Sequence, residues 1–83
     1  MYLAKVSVML KESVLDPQGQ AVTHALHNLN HNEIRDIRIG KYIEIRLEAE
    51  NRGKAEALVR EYCEKLLANS VIENFRFEVE PLS

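Results

Sequence analysis

In the run Arg35-Asp36-Ile37-Arg38-Ile39-Gly40-Lys41-Tyr42-Ile43-Glu44-Ile45-Arg46-Leu47-Glu48, apolar and charged side chains alternate, with Ile37, Ile39, Ile43, Ile45 and Leu47 all at odd positions. Period-two alternation places the apolar set on one face of a strand and the charged set on the other. Gly40 offers a place for the chain to reverse. Because the apolar parity is the same on both sides of it, the connecting loop should hold an odd number of residues. Gly40-Lys41-Tyr42 is therefore expected to be a three-residue hairpin loop; a two-residue loop at Gly40-Lys41 would set Ile37 against Glu44. An unbroken long strand kinked at Gly40 is the alternative.

Upstream, Ala4, Val6, Val8 and Leu10 alternate with Lys5, Ser7 and Lys11, which predicts a first strand over Tyr2 to Lys11. Asp16-Pro17 then combines a capping carboxylate with the residue best suited to a first helical position. Val22, Ala25, Leu26 and Leu29 follow at the spacing of one helical face, and Asn30 tolerates the left-handed conformation that closes a helix. Downstream, Asn51 is a cap for a second helix over about Arg52 to Ala68, with Ala55, Leu58, Val59, Tyr62 and Leu66 as its stripe and Cys63 and Leu67 at the margin. Val71, Phe75, Phe77 and Val79 alternate with polar residues up to Glu80, and Pro81 ends this last strand. The order is strand, helix, strand, strand, helix, strand. It predicts an α+β, βαββαβ ferredoxin-like two-layer sandwich, a four-stranded antiparallel sheet with both helices on one face. Right-handed crossovers put the first and third strands at the centre.

With 83 residues the chain is expected to form a single domain, 1–83, and a domain of this size buries only about 60% of its unfolded surface, which favours oligomerisation. It contains no apolar run near the roughly 20 residues of a membrane span, and no export signal is expected from Met1-Tyr2-Leu3-Ala4-Lys5. The lone Cys63 has no partner for a disulfide or a metal pair, which fits a reducing cytoplasm. A net charge of −2, with both signs interleaved, leaves no basic stripe for nucleic acid.

This topology serves enzymes, metal carriers, RNA readers and regulatory domains, so the choice among them rests on side chains. Paired cysteines after the first strand are missing, which argues against a metal carrier. Phe75 and Phe77 share the inward parity of Val79, so the open face has no base-stacking platform. The loop Glu12-Ser13-Val14-Leu15-Asp16-Pro17 lacks the arginine an acyl-phosphate hydrolase would need. His24, His27 and His31 recur at helical spacing but have no acidic or cysteine partner in their segment, so they read as a solvated polar face opposite the Val22/Leu26/Leu29 stripe. Asp16 reads as a cap, Gly19 as a point of close backbone approach by the sheet or another chain, and Lys41 and Tyr42 as side chains at a hairpin tip within reach of a partner.

Three runs together carry a resemblance: Val14-Leu15-Asp16-Pro17-Gln18-Gly19, Arg38-Ile39-Gly40-Lys41-Tyr42, and Lys65-Leu66-Leu67-Ala68-Asn69 followed by Val71-Ile72-Glu73. The chain resembles the PurS family, the small subunits of phosphoribosylformylglycinamidine synthase, over its whole length. It departs from the family pattern at Asn30, where glycine is frequent, and at Ser70, where proline is common. The resemblance implies a non-catalytic subunit of a purine-synthesis ligase complex that uses ATP, Mg and glutamine, with no cofactor, metal or catalytic residue on this chain. It implies pairing with itself, as a dimer or a dimer of dimers, and bridging of a glutaminase and a synthetase subunit in the cytoplasm. Arg38, Lys41 and Tyr42 become the candidate contact residues; Asp16, Pro17, Gly19, Gly40 and Asn69 are the structural positions of the motifs. An ACT-like regulatory domain is the alternative with the same element order.

Overall fold

The computed structural model describes residues 1–82. Three strands, β1 (Tyr2–Leu10), β2 (Lys41–Leu47) and β3 (Glu73–Pro81), form one antiparallel sheet in the order β2-β1-β3, with helices α1 (Pro17–Asn28) and α2 (Arg52–Tyr62) between them. The register sets Ile43, Val6 and Phe77 side by side, and Ile45, Ala4 and Val79 in the next such row. Even positions of β1 therefore share a face with odd positions of β2 and β3, as the alternation requires. The opposite face carries the rows Glu44, Lys5, Glu78 and Tyr42, Ser7, Arg76. Lys5 pairs there with Glu80 at 3.2 Å, which raises the ammonium pKa by hydrogen bond and charge.

Helix α2 covers the apolar face. Its line Ala55, Val59 and Cys63 is fully buried against Ala4, Val6 and Val8. Each valine so buried contributes about 1.5–3 kcal/mol over an exposed one. Asn51 caps the helix by accepting the Lys54 N–H at 2.9 Å. Beyond Tyr62 the helix widens into a π-helical turn, Cys63–Leu67, in which the Ala68 N–H reaches the Cys63 carbonyl at 3.0 Å. The widened turn accommodates one extra residue and so shifts the phase of everything after it. This corrects the expected stripe. Cys63 lies at its centre rather than its margin, whereas Leu66 is 82% exposed. Arg60 stacks over the Phe77 ring at 5.2 Å, and Phe75 and Phe77 lie on the helix side, 6.3 Å apart.

The α+β antiparallel plan with two helices is as expected, but two features depart from the ideal layout. First, no hairpin forms at Gly40-Lys41-Tyr42. Residues 35–40 are extended but pair with no strand, no turn or bend interrupts the chain from Ile34 to Leu47, and β2 consequently sits at the sheet edge. Among the described residues there are thus three strands rather than four. Second, α1 does not share the sheet face with α2. None of its residues belongs to the core or packs against it, and Leu29 is 66% exposed. Instead α1 and residues 31–40 run back along each other as an arm. The molecule is 51 × 30 × 14 Å with a radius of gyration of 16.4 Å, against about 12 Å for a compact chain of this length.

The last strand also starts later than its parity suggested. Asn69 accepts the N–H groups of Ile72 and Glu73 at its carbonyl and that of Val71 at Oδ1, closing a turn that leaves Val71 exposed and begins β3 at Glu73.

Candidate contact site

The arm is built on Asp16. Its Oδ1 accepts the Gly19 N–H at 3.0 Å, capping α1, and its Oδ2 accepts the Ile39 N–H at 2.9 Å. Those two backbone donors, Gly19 first, hold the carboxyl below its usual pKa, with Arg38 adding to the effect. Pro17 occupies the first helical position. Gly19 is buried against the Ile37 carbonyl, and a Cβ there would also stand 2.6 Å from Asp16 Oδ2. The close approach anticipated at Gly19 is made by the chain's own connecting segment. Thr23, one turn on, is buried and donates to the Gly19 carbonyl at 2.8 Å; His27, a further turn on, is half-buried and bonds the Ile34 carbonyl at 2.7 Å. The helix face turned toward the chain is thus small and polar, and the apolar stripe is turned away. At its end, Asn30 has φ 70, and the His31 N–H returns to Leu26 while that of Asn30 returns to His27, the paired bonds of a Schellman close.

These contacts explain the missing hairpin. The Ile39 N–H goes to the Asp16 carboxylate, and the Arg38 guanidinium is tied to the Leu10 carbonyl. Gly40 does not reverse the chain, since no glycine has a positive φ. It is needed because a Cβ there would overlap the Val8 carbonyl and Met9 Sδ, where residue 40 passes the end of β1.

The three candidate contact residues therefore do not cluster at a loop tip. Arg38 is half-buried and anchors the arm to β1. Lys41, opposite Val8, and Tyr42, opposite Ser7, point to opposite faces of β2. Lys41 lies 3.9 Å from Glu73 on the helix side. Tyr42 is 60% exposed on the charged face, where its hydroxyl donates to Glu44 at 3.0 Å and its pKa is raised by desolvation and by that bond. A depression of about 380 Å³ lies beside it, between Lys5, Ser7 and Arg76.

A cleft of about 830 Å³ lies between α1, the loop before it and residues 35–38. His24 and His27 line it, but His31 pairs with Glu33 at 3.0 Å, so the three imidazoles do not converge. Among the described residues no group of histidine, cysteine and carboxylate side chains is placed to hold a metal. Thr23, which tightens the arm, escaped the sequence reading, and Glu73, whose carboxylate accepts the Asn69 N–H at 2.7 Å and faces Lys41, was quoted there only as the end of the third motif run, with no role given to it. The spacing of four between Gly19 and Thr23 was the available signal for the first; the contacts of Glu73 were not legible, because one comes from the turn before β3 and the other from Lys41 on β2.

The fold and its surfaces define a small ferredoxin-like α+β domain whose prominent features are an exposed helix stripe, a free sheet edge and an open charged face. The model of the family described as PurS, phosphoribosylformylglycinamidine (FGAM) synthase, matches residues 3–81. The FGAM synthase subunit PurS of Bacillus subtilis is 61% identical over 80 residues, which are 96% of this chain and 94% of that protein. The crystal structure of PurS from Methanocaldococcus jannaschii superposes with a TM-score of 0.91 at 40% identity, covering 100% of both chains. A chain in the structure of PurLQS from Thermotoga maritima superposes with a TM-score of 0.85 at 30% identity, covering 96% of this chain and 99% of that one. The chain belongs to the PurS family of FGAM synthase and is a non-catalytic subunit of that purine-synthesis ligase.

Proposed function

We propose that this chain is the assembly subunit that bridges the glutaminase and the ATP-dependent synthetase of FGAM synthase in the cytoplasm. It pairs with itself and holds the two active sites near each other, so that ammonia released from glutamine reaches the phosphate-activated amide. The complex uses ATP, Mg and glutamine on the other subunits. The physical need is concentration, since free ammonia would be diluted and protonated in bulk water, whereas docked sites preserve its effective molarity. The observation that carries this reading is family membership over residues 3–81. The Thermotoga maritima relative within PurLQS and the unpartnered α1 stripe support it.

The purified chain, mixed with both enzyme subunits, glutamine and Mg-ADP, is expected to elute with them as one species by size exclusion; separate elution defeats the proposal. Within it, Lys41 and Tyr42 contribute to contacts between chains, now from opposite faces of β2, while Arg38 holds the arm. Alanine at both Lys41 and Tyr42 should weaken co-elution and leave the circular dichroism of the chain unchanged. Undiminished assembly removes those two residues from the interface.

A further inference from the structure

The sheet order β2-β1-β3 leaves β3 at an edge, with β1 on one side of it and no strand on the other. In a paired strand the backbone groups of alternate residues point to opposite edges. Half of those between Asn74 and Glu80 therefore point away from β1, where the structure gives them no backbone partner. Edge strands are commonly kept from pairing by shortness, a bulge, a lysine or an internal proline. β3 has none of these from Glu73 to Glu80. It is nine residues long, its ladder with β1 runs without a skipped residue from Leu10–Glu73 to Tyr2–Pro81, it contains no lysine, and Pro81 is its last residue.

Beside this edge α2 and β3 wall a depression of about 360 Å³, with Arg52 and Glu56 on the helix and Phe77, Glu78 and Val79 on the strand. Phe75 and Phe77 are half-buried, and Arg60 lies over the Phe77 ring. A strand added to β3 would set one row of its side chains on these rings and the other beside the exposed Arg76 and Glu78. The charges along the edge are unequal. Lys5 pairs with Glu80 at 3.2 Å and stands opposite Glu78, whereas Arg76 stands opposite Ser7. Among the described residues Arg52, Arg60 and Arg76 have no ion-pair partner, and Glu56, four residues from both Arg52 and Arg60, offsets one of the three charges. A second copy is a poor match. A two-fold axis at Arg76 or at Glu78 sets like charges against each other, one at Val79 sets Glu78 against Glu80, one at Phe75 sets Glu73 against Phe77, and one at Phe77 brings two Arg60 guanidiniums to the axis.

We infer that the outer edge of β3 takes, as an added strand, an extended segment of a different polypeptide with apolar side chains at alternate positions and carboxylates between them. Backbone bonds hold such a segment, the Phe75 and Phe77 rings receive its apolar row, and the arginines select its charge. In the assembly proposed above that polypeptide is one of the two enzyme subunits. The inference rests on that reading and adds the surface and the mode of contact.

Amide hydrogen exchange of the intact chain, alone and with the glutaminase and synthetase subunits, glutamine and Mg-ADP, tests the strand addition. Alone, alternate amides from Asn74 to Glu80 are expected to exchange fast, while those bonded to β1 exchange slowly. In the complex the fast set should slow at least about a hundredfold, to the level of its neighbours. A complex that elutes as one species with the fast set unchanged overturns the strand addition and leaves the assembly reading standing; separate elution removes both. Charge reversal gives an independent measurement. Arg76 is exposed and makes no side-chain bond, so Arg76→Glu should leave the circular dichroism of the chain unchanged. It is expected to weaken binding of the enzyme subunits about tenfold, whereas Arg76→Lys should stay within about threefold of the parent. Undiminished binding by Arg76→Glu would overturn the acidic character assigned to the segment.

Discussion

Alanine at Gly19 and alanine at Gly53 are the same substitution in the first turn of two helices, and the structure assigns them opposite signs. In either helix alanine is favoured over glycine by up to about 1 kcal/mol. At Gly53 that gain stands, because the nearest heavy atom to the new methyl is Asn51 Oδ1 at 3.4 Å, an ordinary contact. At Gly19 the methyl would overlap the Ile37 carbonyl oxygen, a backbone atom held by the Asp16–Ile39 bond of 2.9 Å, and would lie 3.0 Å from Asp16 Cγ. Overpacking of this kind costs about 1–3 kcal/mol, and the upper part of that range applies because a backbone segment, not a side-chain end, must move. The net expectation for Gly19→Ala is a loss of about 1–2 kcal/mol, a drop of roughly 5–15 °C in Tm for a domain of this size. Gly53→Ala should raise stability by about 0.4–1 kcal/mol. Urea and thermal unfolding of both variants at one fixed protein concentration measure the contrast. A Gly19→Ala protein as stable as the parent would show that helix preference outweighs the contact with Ile37, and the account of the arm would fall with it.

Two further expectations concern the core and the cap. Val59→Ala empties a fully buried position beneath the sheet and should cost about 2–3 kcal/mol, whereas Leu58→Ala, at a residue 37% exposed on the same helix, should cost under about 1 kcal/mol; equal costs by urea titration would contradict the placement of the stripe. Asp16 has its pKa depressed in the folded protein by the Gly19 and Ile39 N–H groups, so its stabilising effect is present above the unfolded carboxylate value of about 4 and is lost as pH falls through the folded one. Asp16→Asn should therefore lose less stability than the parent between neutral pH and pH 3. Parallel acid profiles would show that the carboxylate charge is not used in this way.

Local signals were legible where one residue or one period acts alone. Asp16-Pro17 and Asn51 start the two helices, Asn30 closes the first, and within the spans that β1, β2 and β3 occupy the alternation divides the two faces as the register does, although Val71, given the inward parity, lies before β3 and is exposed. Backbone geometry near a cap and the two-sided nature of a pleated strand depend on neighbours within a few residues, so the linear order is enough to define them. Tertiary contact decided what lay between these signals. Whether Arg35–Ile39 turned back at Gly40 or ran straight into β2 depended on a competition for the Ile39 N–H between a hairpin partner and a carboxylate 23 residues earlier, and the carboxylate holds it. Which face of α1 turned inward depended on the Ile37 carbonyl fitting against Gly19, and the phase of Leu66 depended on a widened turn after Cys63. The motif residues Asp16, Gly19, Arg38 and Gly40 were visible as a pattern, but their shared task of holding one arm straight arises only when residues far apart in sequence meet in space.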